Sequence, residues 1–544
     1  MARPAALAAL RAVASECQAL AASFSDEEAV EGLAITEELC AVFQRPAAAS
    51  SVAGSAGQLL EFLSVVPPEL MSIILSQLEI RALACLAATC RLLWCDAPTP
   101  PLALPTPELV ETELRRRAEA RGLHFGSSLP EGALWWVPYL LKRFHDALRQ
   151  ERTLAVGTNN SLFVDRERRL HLACRRDAIT AGGVGEPLLG HDWGSDASAS
   201  TVSVPPTLVP SMHATRIVSV ASGYRHCLAL SAVGEVYSWG DGTAGALGHA
   251  DGSASAGPRR IETLERVESI AVGISKSAAV DDRGRLFTWG RGTFLGRLAG
   301  LGYELNPGTE LQLLPKRVDA LSADRVVCVA PGHSFTLAVT DAGAVFSFGH
   351  STDWALGHGS STNEVLPRRI EAQAETGLRF VAVAAGMDHS LALTEEGHVY
   401  GWGDGRSNGH GQEQRTPQLV TALAGVCVQL VYARDFCSCA VTERGELYTW
   451  GCSFFLGHEV AAVQLTPKRV EALSGVKVAA AAICGSHSLV AGADGVVWGF
   501  GHRAALGLGE ADALPWDSED EDGDYEDYVA QPTPIPNIRV RTLP

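Results

Sequence analysis

Six aromatic-glycine pairs govern what this chain can fold into. Trp or Phe precedes Gly at Trp239, Trp289, Phe348, Trp402, Trp450 and Phe500, and another glycine lies five residues before each aromatic, at Gly234, Gly284, Gly343, Gly397, Gly445 and Gly495. Thirteen residues before the aromatics stand His226, Lys276, Phe335, His389, Cys437 and His487, and further on comes a Pro-x-x-Val or Pro-x-x-Ile step, as at Pro258 and Ile261 or Pro467 and Val470. A grammar this fixed, at a period of roughly 50 residues, specifies an array of supersecondary units.

Within a unit, Leu228 and Leu230 alternate with small residues, a turn centres on Gly234, and Val236 leads to Trp239, the pattern of a β-hairpin with one buried face. Glycine after the aromatic lets the chain leave the sheet without a Cβ clash. The Leu-Gly steps at Leu247, Leu356 and Leu456 read as tight turns, and further strands are expected at the proline step and at 216–220, 325–329 and 379–383. Four short strands per unit make a propeller blade. A degraded copy begins at Leu154, with Asn160 at the histidine position, Arg168 for the turn glycine, Ala173-Cys174 for Trp-Gly, and Pro206 and Val209 as its proline step. It brings the count to seven, so the expected fold is mainly β, a seven-bladed propeller over residues 153–544. A last strand at 538–543 has no hairpin behind it; pairing it into the first blade would close the ring and remove two exposed sheet edges.

These units resemble the repeats of the regulator of chromosome condensation family, whose seven blades form a circular propeller. The signature Gly-Trp-Arg-His of that family's ultraviolet photoreceptors reads Gly223-Tyr224-Arg225-His226 here and is not restored in other blades, which argues against light sensing.

A small all-α region is expected upstream. Pro67 or Pro68 opens a helix carrying Leu70, Ile73, Ile74 and Leu78, and a second helix places Leu83, Leu86, Ala87 and Cys90 on one stripe. So short a pair buries little core and leaves apolar surface for a partner. The stretch resembles an F-box, with Val66, Pro67, Glu69, Leu70, Ile74, Leu75, Leu78, Leu83, Leu86, Cys90 and Arg91 on its pattern; Arg81 replaces a common proline and Trp94 falls one residue late. The organisation is then a helical, partly disordered extension at 1–57, the F-box at 58–97, a proline-rich linker with helices at 98–152, and the propeller. The alanine-rich start reads as an amphipathic helix, because Asp26, Glu27 and Glu28 interrupt the pattern of a transit peptide.

Composition narrows the partners. With 47% hydrophobic residues and no apolar run of membrane-spanning length, no membrane association is expected. Thirteen cysteines without metal-type spacing point to reduced thiols in cytoplasm or nucleus. A net charge of −18 and the lack of a long Lys/Arg run disfavour nucleic acid. The recurrent histidines share a repeat position with Lys, Phe and Cys, which makes them structural. The Gly-rich loops lack the lysine and hydroxyl of a phosphate-binding loop, and no nucleophile elbow or zinc-protease motif appears. No catalytic residue, cofactor or metal site is expected.

The two resemblances together imply a substrate receptor of a cullin-RING ubiquitin ligase. The F-box would dock the adaptor protein through Pro67, Glu69, Leu70, Ile74, Leu75, Leu78, Leu83, Leu86, Cys90 and Trp94, and the propeller would hold an unknown target protein. The alternatives are guanine-nucleotide exchange on a small GTPase and a propeller scaffold outside any ligase; exchange has no use for an F-box. Recognition tends to reside in insertions into uniform blades, and three connections are long: Cys174 to Pro206, Gly290 to Pro315 and Gly501 to Pro532. Blades seven and one are neighbours in a closed ring. Arg175 and Arg176, beside the acidic loop 516–528 with Asp517, Glu519, Asp520, Glu521 and Asp522, therefore form the candidate partner patch.

Overall fold

The chain divides into two units, Met1–His145 and Asp146–Pro544. The computed structural model describes residues 152–175, 203–294, 297–306, 308–371, 377–452, 455–459, 463–508 and 528–542, all in the second unit. The F-box stretch 58–97, the extension before it and the linker helices lie outside the described residues.

Seven four-stranded antiparallel sheets follow one another along the chain, each with its strands in sequence order. Blade one is β1 (Leu154–Val156), β2 (Asn160–Val164), β3 (Leu170–Arg175) and β4 (Ser203–Leu208). Blade two is β5 (Ile217–Ser222), β6 (His226–Ser231), β7 (Val236–Gly240) and β8 (Ser255–Arg260). The first strand of every blade lines a central cavity of about 100 Å³. Blade three adds a small hairpin, Thr293–Phe294 with Arg297–Leu298. The seven-bladed propeller read from the repeats is the fold.

The repeat residues have separate tasks. The turn glycines Gly234, Gly284, Gly343, Gly397, Gly445 and Gly495 all have φ between 75° and 85°, a left-handed conformation that glycine adopts without strain. Arg168 in the degraded blade takes the same position with φ 64°. After the aromatic, a Cβ on Gly240 would come within 2.3 Å of the Arg225 carbonyl oxygen, so that glycine serves close backbone approach. The aromatics fill the spaces between blades. Trp239, Trp289, Trp402 and Trp450 are fully buried, and Trp289, Trp402 and Trp450 donate their indole N–H to carbonyls of the preceding blade, Ala246, Ala355 and Ser407, at 2.8–2.9 Å. Each apolar cluster accordingly joins two blades, as where Leu228 and Leu230 meet Ile270 and Trp289.

Ring closure differs in detail from the expectation of a whole crossing strand. Tyr528–Arg539 is the outer strand of blade seven, and only Val540 crosses, forming a bridge with Asp165 of blade one. That bridge repeats the pairing of Ile217 with Ser231 in blade two and of Phe380 with Thr394 in blade five. The Val540 amide also donates to Gly495 O at 3.0 Å, as Val267 does to Gly234 and Val428 to Gly397. Blade one's innermost strand is thus made of two pieces: Val540 starts it, and Thr153 with β1 completes it. An apolar cluster of Leu154, Val156, Phe163, Leu489, Val497, Ile535 and Val540 seals the junction.

Candidate protein-docking face

Up-and-down topology sorts the connections onto two faces. The turn from first to second strand and the connection from third to fourth strand open on the same side of each blade. All three long connections therefore rise from one face, which also carries the turns around the channel mouth. Recognition surfaces on rigid scaffolds are built from such loops.

The second strands begin with the recurrent histidines, and these are inter-blade joints. His226 Nε2 lies 2.9 Å from Ser277 Oγ of blade three, His389 Nε2 lies 2.7 Å from Ser438 Oγ of blade six, and His487 Nε2 lies 2.9 Å from Ser161 Oγ of blade one. The serines pass the connection on, donating to Ala246 O, Ser407 O and Ala505 O. Burial holds His226 down to about 4 and His389 and His487 down to about 3, so all three stay neutral at physiological pH. Substitutes at this position keep the joint by other means. Lys276 donates to Ala299 O and, at 2.7 Å, to Phe335 O, with burial driving it towards the neutral amine. In blade one the Asn160 amide reaches Cys227 Sγ at 3.1 Å. Cys437 breaks the series: Ser488 Oγ, its counterpart in blade seven, is buried without a hydrogen-bond partner.

Three residues before the joint, five blades carry glycine at the channel mouth: Gly157, Gly223, Gly273, Gly332 and Gly386. The joint side chain explains it. A Cβ on Gly386 would come within 2.1 Å of the His389 ring, and one on Gly157 within 1.9 Å of Asn160 Oδ1. Blade six departs, with Arg434 in the glycine position above the small Cys437, and the two substitutions belong together: removing the imidazole makes room for a side chain at 434. The Arg434 guanidinium donates across the channel to Ser222 O of blade two. Asp435, with φ 49°, accepts the Gly485 N–H at 2.9 Å.

From this mouth a strip of aromatic and guanidinium groups extends over blades six, five and four. Arg406 stacks on Phe436 with its guanidinium carbon 5.1 Å from the ring centroid, while pairing with Asp404 at 2.9 Å. Asp353 contributes to the field on Arg406. The neighbouring Trp354 is covered by the Arg415 guanidinium of blade five at 4.6 Å. Trp354 has φ 58° and Asp353 φ 46°, left-handed values that side chains rarely adopt.

Of the sequence-selected patch, Arg175 ends β3 on this same face, whereas Arg176, Asp517, Glu519, Asp520, Glu521 and Asp522 lie outside the described residues. So do the adaptor-binding positions from Pro67 to Trp94. Sequence reading did not single out Arg434, Trp354 or Arg415. The signal for Arg434 was present, as the one arginine in a column otherwise filled by glycine and Cys484.

The sequence pattern that defines the RCC1-like domain matches residues 136–455, more than half of the chain. The chain belongs to the RCC1-like domain family. Among relatives, an RCC1-like stretch of 242 residues is 42% identical to the human (Homo sapiens) E3 ubiquitin-protein ligase HERC2, covering 43% of this chain and 5% of that protein. A stretch of 218 residues is 35% identical to the ultraviolet-B receptor UVR8 of Arabidopsis thaliana, covering 40% of this chain and 46% of the receptor. The chain thus spans a small part of the first relative and about half of the second. The RCC1-like fold is also that of Prp20p from Saccharomyces cerevisiae, with TM-score 0.54 and 21% identity over 76% of this chain and 91% of Prp20p.

Proposed function

We propose that this protein is the substrate receptor of a cullin-RING ubiquitin ligase, its F-box docking the adaptor and its propeller holding the protein to be modified. The observation that carries this reading is the combination of two parts in one chain: the F-box pattern from Val66 to Arg91, and a closed propeller with its long connections on one face. The first suits attachment and the second suits presentation. Ubiquitin transfer would then be performed by other subunits, and this chain would raise the effective concentration of target lysines near the charged enzyme. HERC2 is itself named a ubiquitin ligase, which agrees with an RCC1-like propeller working in that chemistry. Cytoplasm or nucleus is the compartment this role requires.

The competing reading is nucleotide exchange on a small GTPase. The Prp20p structure is described with binding properties to Gsp1p and histones, and exchange by this chain would follow that precedent; the F-box pattern weighs against it. The deciding experiment is capture of the intact chain on purified adaptor, beside a Leu70→Asp, Ile74→Asp variant. A charge placed in an apolar helix-adaptor contact abolishes association, because an unpaired buried charge costs several kcal/mol. Capture of the intact chain alone supports the receptor. Equal behaviour of the two chains rejects it, and exchange assays with small GTPases become the next measurement.

A further inference from the structure

We infer that the face over blades four to six, from the Arg434 channel mouth to Trp354, docks a carboxylate-rich segment of a partner protein. The inference rests on the receptor reading for its biological setting but locates the contact away from the rim of blades seven and one.

Three observations converge. Among the described residues no carboxylate lies within ion-pair distance of Arg434 or Arg415, whereas the third arginine of the strip, Arg406, is paired with Asp404. Arg434 spends one contact on Ser222 O and a guanidinium carries five N–H donors. Secondly, the two unmatched cations lie on one strip that holds two arginine-aromatic stacks: Arg415 covers Trp354, Arg406 covers Phe436, and Phe436 follows Arg434 by two residues in sequence. Trp and Arg are the residues that dominate interface energetics. Thirdly, the strip uses residues the repeat does not need. Trp354 occupies the place of Gly245, whose φ is 70°, and Arg415 that of Leu313, which packs beside Gly245. A propeller joint is made there by glycine and leucine; blade four holds a half-buried tryptophan in a strained conformation instead.

Charge complementarity selects the occupant. Asp404 is paired with Arg406, Asp435 accepts the Gly485 N–H, and Asp353 adds to the field on Arg406, so the cations of the strip without a carboxylate partner are Arg434 and Arg415. An extended segment with acidic side chains satisfies them while its apolar residues lie on Trp354 and Phe436.

The sister blades supply the test variants. Arg434→Gly, Arg415→Leu and Trp354→Gly each restore a residue that another blade carries, so folding is preserved and is checked by thermal melting. Anisotropy of a fluorescein-labelled peptide of Asp, Glu and Leu is measured with the full chain, beside the matched peptide of Asn, Gln and Leu. The expected result is binding of the acidic peptide at least tenfold tighter than the neutral one, weakened about fivefold or more by each variant and by added salt. Equal binding of both peptides, wild-type affinity in all three variants, or stronger binding of a single-stranded DNA of equal charge overturns the proposal. Adaptor capture, which depends on Leu70 and Ile74, is measured on the same variants. Loss of peptide binding with capture intact separates failure of this site from failure of the receptor reading.

Discussion

Between blades two and three the chain runs on unbroken, whereas between blades seven and one two distant parts of the sequence must find each other. Both junctions nevertheless use the same parts. His226 meets Ser277 as His487 meets Ser161, and Val267 bonds Gly234 as Val540 bonds Gly495. The difference is covalent: at the seam one residue, Val540, stands for the linker that elsewhere carries the chain into the next inner strand. Equivalent packing with unequal connectivity means that the seam is held by noncovalent contacts alone, and measurements can separate the two contributions.

The largest effect is expected from acid, because it acts on three junctions together. His226, His389 and His487 are depressed in the folded state, so below the ordinary value near 6.5 the unfolded chain takes up protons that the folded chain refuses, and stability is lost as pH falls towards 4 and 3. Each group contributes about 1.4 kcal/mol per pH unit in that window, or about 6 kcal/mol for the three together at pH 5. Hydrogen exchange across pH 7 to 5 should therefore show the imidazole junctions opening before the one built on Phe335, which carries no titratable group. Uniform loss of protection at all seven junctions would contradict this.

Next comes Val540→Asp, which places a charge in a site with no solvent exposure and should cost about 3–5 kcal/mol. Protection should vanish first around β1, β2 and the strand Tyr528–Arg539, while Val428→Asp at an unbroken junction should destabilise the ring as a whole. His487→Ala and His389→Ala should each cost about 2 kcal/mol through a cavity and a lost inter-blade hydrogen bond. Denaturant titration gives those costs, and only the seam variant should increase proteolysis near Thr153. The smallest effect sharpens the pairing of Arg434 with Cys437. Cys437→His alone should destabilise by crowding Arg434, and Arg434→Gly should relieve it, giving a coupling of about 1 kcal/mol or more in a double-mutant cycle.

Most of the fold was legible because repetition multiplies a weak signal. One Trp-Gly pair says little, but six with a glycine five residues earlier fix strand order, turn positions and register. The degraded blade was readable through Arg168, whose left-handed φ shows that the turn survived loss of its glycine. The composite closing strand was only half legible, since the sequence displays a strand without a hairpin but not where its register stops. The docking strip was harder still. Trp354 and Arg415 come from different blades and meet through the ring's curvature, and nothing along the sequence marks them as neighbours. Arg434 needed the physical reason for glycine at its position, which is the bulk of the side chain three residues later.

The two-piece inner strand of blade one also sets an order of events. Hairpins inside each blade are local and form early, but Asp165 and Val540 are separated by nearly the whole propeller, and closing so long a loop comes late and slowly. Until then the ring is an arc with two bare sheet edges, a form that invites intermolecular pairing and chaperone capture. Closure is thus the step that removes both edges, and conditions that delay it are expected to lower the yield of soluble protein before they lower the stability of the finished ring.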